Sequence, residues 1–227
     1  MISSVLRLLG AAATSAAAVL IAPVPFAAAQ GCPDVEVVFA RGTFEAPGVG
    51  GVGQSFVDSL RSKIGDKSMD VYPVNYPASL DFATAADGVI DARNKVQDVA
   101  NTCPNTEIVL GGFSQGAALA GYVTSAEIPD EVPAEYRQFI PNPMPPEVAE
   151  HVAAVVLIGL PSPEFMGSVG APPITIGPSY AGKTLKLCAP DDTICNGAAP
   201  GPPSWAHAMY GLNGSTNEAA AYAVQRL

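Results

Sequence analysis

Gly112-Phe113-Ser114-Gln115-Gly116 sets a serine between two glycines at G-x-S-x-G spacing, directly after the apolar Ile108-Val109-Leu110 and before Ala117-Ala118-Leu119. A serine on a sharp strand-to-helix turn stands above the sheet edge, and a side chain two positions to either side would collide with neighbouring backbone. Both glycines are therefore expected to be steric requirements. Such a serine performs acyl transfer once a general base takes its proton, because the neutral hydroxyl is a weak nucleophile. The competing reading is a serine that merely caps a helix. The strand–turn–helix setting favours the nucleophile.

Histidine is the usual base at neutral pH, and the chain has two, His151 and His207. His151 opens the apolar run Val152 to Ile158, which puts it at the amino end of a strand. Sites in open α/β sheets lie at the carboxyl ends, where Ser114 also falls. His207 follows the last strand and fits a Ser…Asp…His order. The acid that steadies the imidazole is then Asp191 or Asp192, both just past the strand that ends at Cys188. Spacing alone does not choose between them. Oxyanion donors are expected from the Gln115 N–H and from the loop Arg41-Gly42-Thr43, with Thr43 offering an N–H and a hydroxyl.

The elements needed to hold these groups are legible in outline. Val35–Ala40, Val71–Val74, Glu107–Leu110, Val152–Ile158 and Thr184–Cys188 read as strands, with Pro73 marking an edge. Gln54–Ile64, Phe82–Ala100 and Ala117–Thr124 carry helical spacing, and Ser215-x-x-Glu218 fits a capping box ahead of a last helix through Arg226. Strands alternating with helices predict a parallel sheet with helices on both faces, a three-layer α/β/α sandwich around five strands. The Pro-rich stretches 128–147 and 197–203 are irregular insertions.

Composition narrows the chemistry. The 227 residues are 48% hydrophobic and 14% charged, with a formal net charge of −10, which repels phosphate backbones and argues against a nucleic-acid partner. Two histidines and no C-x-x-C or H-E-x-x-H leave little for a metal to bind, so neither metal nor cofactor is expected. Residues 1–29 carry a single charge, Arg7, and end in Ala27-Ala28-Ala29, the small residues of an export-signal cleavage site. Pro23 and Pro25 argue against a permanent anchor helix. The expected product is one secreted domain, residues 30–227, without a membrane span and monomeric. Export makes the four cysteines disulfide candidates, and the un-nested pairing Cys32–Cys103 and Cys188–Cys195 is preferred. Chain entropy gives roughly 4 kcal/mol for the long loop and about 2.5 kcal/mol for the short one, so the short bridge looks like a device for fixing a local loop.

Phe39-Ala40-Arg41-Gly42-Thr43, Cys103-Pro104, Gly112 to Ala118 and C-x-x-x-D-x-x-C at Cys188 to Cys195 resemble the cutinases, closest to the secreted cutinase-like esterases of mycobacteria. The resemblance runs over essentially the whole chain after residue 29, with the motifs in family order. It implies a small lidless α/β-hydrolase, the two disulfides as paired, and Asp192 as the acid. It also implies His207 as the base, within an H-x-x-Y segment ending at Tyr210, and Thr43 as the oxyanion-hole hydroxyl. One departure is the stretch 128–150, longer than in compact fungal members and containing Tyr136, Phe139, Ile140 and Met144. It reads either as an apolar flap over the acyl site or as a surface helix with a Pro-rich loop. Leu80, Phe82 and Trp205 are candidates for the acyl groove.

The expected activity is that of a secreted serine esterase acting on acyl-ester lipids or polyesters. Acyl transfer to another alcohol, or deacetylation of a polysaccharide, uses the same machinery. A non-catalytic, lipid-binding or antigenic envelope protein is the alternative of a different kind. Gly48-Val49-Gly50-Gly51-Val52-Gly53 matches the dinucleotide fingerprint G-x-G-x-x-G, but Arg41 to Pro47 separate it from the strand it should follow.

Overall fold

The computed structural model describes residues 31–132, 134–137 and 140–227. The expected export signal, and Phe139 of the insertion, lie outside the described residues.

In chain order the elements are β1 (Val35–Ala40), α1 (Gly50–Arg61), β2 (Met69–Pro73), a 3-10 turn (Phe82–Thr84), α2 (Ala85–Thr102), β3 (Glu107–Phe113) and α3 (Gln115–Val123). There follow α4 (Ala134–Arg137), α5 (Pro146–Glu150), β4 (Val152–Ile158), α6 (Pro163–Ser168), α7 (Pro178–Ala181), β5 (Thr184–Leu187), α8 (Trp205–Ala208) and α9 (Ser215–Val224). The five strands are all parallel, in the order β2-β1-β3-β4-β5. Pro73 does lie on an edge strand, where its missing N–H costs no ladder bond.

Side chains of a strand alternate between faces, and here both faces are covered, so the interior strands are mostly apolar. The exceptions are Glu107 at the start of β3 and Glu36 of β1, buried and paired with Lys95 of α2 at 2.9 Å. Val38, Ile108, Leu110, Val155 and Leu157 pack on one face beneath Ala92, Val96 and Val99 of α2 and Leu119 of α3. Val37, Phe39, Val109, Val156 and Ile158 pack on the other, against Phe56 and Leu60 of α1 and Ala219 and Ala223 of α9. Chain order reverses direction at β1, which lies between β2 and β3. The carboxyl ends of β1 and β3 therefore frame a topological switch point, the usual place for a ligand site in such sheets.

Two local expectations are corrected. Helix α1 starts at Gly50, not Gln54, because the Glu45 carboxylate accepts from the N–H groups of Gly51 at 2.7 Å and Val52 at 3.4 Å. An internal carboxylate thus fills the place where a dinucleotide phosphate would sit. The capping box at Ser215 does not form: Gly214 at φ 93° takes the N-cap position, and Asn213 Oδ1 accepts from the Ser215 N–H at 3.0 Å. Left-handed backbone there suits glycine.

Candidate active site

Strand β3 ends at Phe113, and Ser114 turns the chain into α3 with φ 55° and ψ −119°. A side chain rarely holds that backbone conformation, and it persists because the surroundings fix it. A Cβ on Gly112 would stand 2.1 Å from the carbonyl oxygen of Gly116, and one on Gly116 would stand 2.1 Å from that of Ala40. The two glycines let β3, α3 and the end of β1 close around the serine. The Ser114 N–H is held by the Ile158 carbonyl at 2.9 Å, tying the turn to the tip of β4.

His207 comes from the short helix α8 and is buried. Its Nε2 lies 2.8 Å from Ser114 Oγ, and its Nδ1 lies 2.8 Å from Asp192 Oδ2. Phe113 packs its ring against the imidazole, centroid to centroid at 5.0 Å, which limits the rotation of the ring. Asp192 is fully buried. The Ile194 N–H donates to its Oδ1 at 2.9 Å and the Tyr210 hydroxyl to its Oδ2 at 2.7 Å. Burial pushes the carboxyl upward, but the hydrogen bonds from His207, Tyr210 and Ile194 outweigh it, and its pKa falls below the ordinary aspartate value. Asp191, one residue earlier, is exposed, and its carbonyl accepts from Ser204 Oγ at 2.7 Å.

The disulfides pair Cys32 with Cys103 and Cys188 with Cys195. Cys195 Sγ lies 3.0 Å from Asp192 Oδ2. A disulfide sulfur carries no hydrogen, so this is packing against the carboxylate and not a hydrogen bond. The short bridge closes the loop on which Asp192 rides. His151 stands at the start of β4, its carbonyl accepting from the Ile108 N–H at 2.8 Å, on the opposite sheet edge from Ser114.

Thr43 Oγ1 donates to Gln115 Oε1 at 3.4 Å, and Gln115 Nε2 donates to the Ser79 carbonyl at 3.1 Å. The loop carrying Thr43 is braced from both sides. Arg41, itself buried, donates to the Glu45 carbonyl at 2.9 Å and to the Tyr76 carbonyl at 2.6 Å. The Gly42 N–H donates to the Glu45 carboxylate at 2.6 Å.

Ser114, His207, Thr43 and Gln115 open on a cavity of about 540 Å³ whose walls include Leu80, Phe82, Phe113, Phe165 and Met166. Trp205 does not line it; at 79% exposed, at the first position of α8, it points into solvent. Two residues at the site escaped the sequence reading. Gly159, at φ 58°, passes so close beneath the site that a Cβ would meet Tyr210 at 3.0 Å, His207 at 3.2 Å and Asp192 at 3.4 Å. Glu45 anchors the loop of Thr43 to the start of α1. The apolar run into Gly159 was a signal for the strand end but not for what lies above it.

The family model for Cutinase matches residues 31–227. A probable carboxylesterase of Mycobacterium tuberculosis, Culp5, is 54% identical over 175 residues, covering 77% of this chain and 96% of that protein. The carboxylesterase Culp1 of Mycobacterium bovis is 45% identical over 229 residues, covering 99% of this chain and 96% of its own length. Among solved structures, a Trichoderma reesei cutinase in complex with a phosphonate inhibitor is similar at TM-score 0.62 and 30% identity, over 86% of this chain and 76% of that one. A strained serine at the tip of the middle strand, a five-stranded parallel sheet and a family match from residue 31 to residue 227 agree, and this chain belongs to the cutinase family.

Proposed function

We propose that the protein is a secreted serine esterase that cleaves carboxylic esters of acyl chains, with Ser114 as nucleophile, His207 as proton carrier and Asp192 as the acid that orients it. The observation that carries this reading is the unbroken hydrogen-bonded line Ser114–His207–Asp192 opening on an apolar cavity. Ser114 Oγ attacks the ester carbonyl carbon while its proton passes to His207 Nε2. The tetrahedral oxyanion is held by the Gln115 N–H and by the Thr43 hydroxyl, whose one hydrogen swings to it from Gln115 Oε1. When the carbonyl re-forms, the ester C–O bond breaks and the departing alkoxide takes the proton from Nε2, leaving an acyl-serine. Water then attacks the acyl carbon, giving a proton to Nε2. When the carbonyl re-forms again the acyl–Oγ bond breaks, Ser114 Oγ takes the proton back from Nε2, and the carboxylic acid leaves. Asp192 stays ionised throughout and stabilises the imidazolium.

Two disulfides suit an oxidising compartment. Among the described residues no helix is long and apolar enough to cross a membrane. Together with the leader-like residues 1–29, cleaved after Ala29, they support release from the cell. The experiment is labelling by a fluorophosphonate, read by intact mass and by p-nitrophenyl butyrate hydrolysis. The wild type is labelled at Ser114 and Ser114→Ala is neither labelled nor active. A folded wild type that resists the label and leaves the ester intact overturns the proposal.

A further inference from the structure

A second cavity of about 400 Å³ lies beside the first, and the two share Phe82, Ala85, Tyr122 and Ala171 as wall residues. One side of it is the outer face of α2, with Ala86, Val89 and Ile90; the other is the insertion, with Ile128, Val132 and Met144. The insertion is braced in that position. Arg93 Nε of α2 donates to the Asn142 carbonyl at 2.9 Å, and Arg137 donates to the carbonyls of Val132 at 2.9 Å and Pro129 at 3.1 Å. Val132 and Met144 are each more than nine-tenths buried. The insertion carries the short helices α4 and α5 among its prolines, as the surface-helix reading has it; it lines none of the cavity at Ser114 and walls the adjoining one.

From this shared wall we propose that the second cavity takes the distal methylenes of a long acyl chain whose carbonyl lies at Ser114, making the enzyme selective for long-chain acyl esters. The proposal rests on the esterase reading above. The occupant follows from the larger part of the wall: aliphatic side chains from both sides offer an alkyl tail burial, while the charged Glu127 and Glu131 are exposed and Arg93 is spent on the Asn142 carbonyl. Phe82 and Tyr122 are the two large side chains common to both walls. The Tyr122 hydroxyl donates to the Pro172 carbonyl, so its hydrogen is spent on backbone.

Ala83 and Ala86 are exposed, line only the second cavity and touch none of the groups at Ser114. The test measures kcat/KM for p-nitrophenyl butyrate, octanoate and dodecanoate, each below its aggregation concentration, in the wild type, Ala86→Trp and Ala83→Trp. In the wild type, each methylene that enters the second cavity raises kcat/KM by up to about fourfold. Either tryptophan lowers the dodecanoate value by at least about tenfold while leaving butyrate within about twofold. Equal wild-type values for all three esters, or a loss of the same size on butyrate and dodecanoate in both variants, overturns the inference and leaves the esterase standing. Dodecyl acetate is measured alongside, and a loss confined to that ester would put the alcohol chain there and equally overturn the inference. Failure of every ester together with failure of fluorophosphonate labelling overturns the esterase reading itself.

Discussion

The Tyr210 hydroxyl and the His207 Nδ1 converge on one oxygen, Oδ2 of Asp192, at 2.7 and 2.8 Å. The Ala189 N–H donates in turn to the Tyr210 oxygen at 2.8 Å, so the phenol is locked by the same loop that carries the carboxylate. Burial and the neighbouring carboxylate both push the phenol's own pKa upward, keeping it a donor. Tyr210 is therefore a positioning residue that holds Asp192 through Oδ2. Tyr210→Phe is expected to lower kcat by about tenfold with KM nearly unchanged, the pattern of an interaction felt mainly in the transition state. Stability should also fall, by about 1.5–3 kcal/mol for a bond to a charged group. Steady-state kinetics on a short ester beside a denaturant melt checks both; a loss of stability with unchanged kcat would make the contact structural only.

Asp192 carries the clearest pH signature of the site. Its folded pKa is depressed, so its contribution to stability is complete above the ordinary aspartate value and is lost as pH falls through the lower folded value. Asp192→Asn should remove that part of the acid slope, visible in melts taken from about pH 5 down to about pH 2. The same change should cut kcat by about 10⁴, since an asparagine favours the wrong imidazole tautomer. Asp191→Asn should leave kcat within about twofold, because its exposed carboxylate faces water. If the two effects are interchanged, the acid moves by one position.

The Cys188–Cys195 bridge spans a separation of 7 residues and encloses Asp192. Entropy assigns it only about 2.5 kcal/mol, yet it closes the turn in which the Asp192 N–H donates to Ala189 and the Ile194 N–H donates back to the carboxylate. Selective reduction of this bridge should therefore abolish ester hydrolysis at a reductant concentration where near-UV circular dichroism still reports a folded protein. Coincident loss of the two signals would assign the bridge to global stability alone.

How much of this was legible in the sequence follows from how local each cause is. Ser114 was legible because its turn needs glycines two residues away on both sides, and His207 because only two histidines exist and one begins a strand. Asp192 was not separable from Asp191 by spacing. The choice is made by a tight turn whose partners, Ala189 and Ile194, decide which neighbour faces inward. Glu45 was illegible because its three N–H donors lie in two segments that meet only after α1 docks. Trp205 misled because an aromatic two residues before His207 looks like a groove wall, whereas α8 turns it outward. The five strands followed from apolar runs alone. Their order did not, since it depends on which crossovers the helices take.

Gly159 supplies the sharpest test of how tightly the site is built. It sits one residue past β4 at φ 58°, its N–H held by the Leu187 carbonyl at 2.8 Å. Alanine there meets two obstacles. The left-handed backbone costs about 1 kcal/mol for a residue with a Cβ, and the added methyl presses on Tyr210 and His207 at 3.0 and 3.2 Å and touches Asp192 at 3.4 Å. The backbone term acts on stability alone, but the contact term moves the imidazole relative to Ser114. Misplacement of about 1 Å at a reacting group costs about 10²-fold. The contacts ask Tyr210 and His207 to give by only a few tenths of an ångström, so Gly159→Ala should lose up to about tenfold in kcat while the protein remains folded at 25 °C with only a modest fall in Tm. A variant as active as wild type but less stable would show that the imidazole has room to yield, and that the three residues above Gly159 are not a rigid stack.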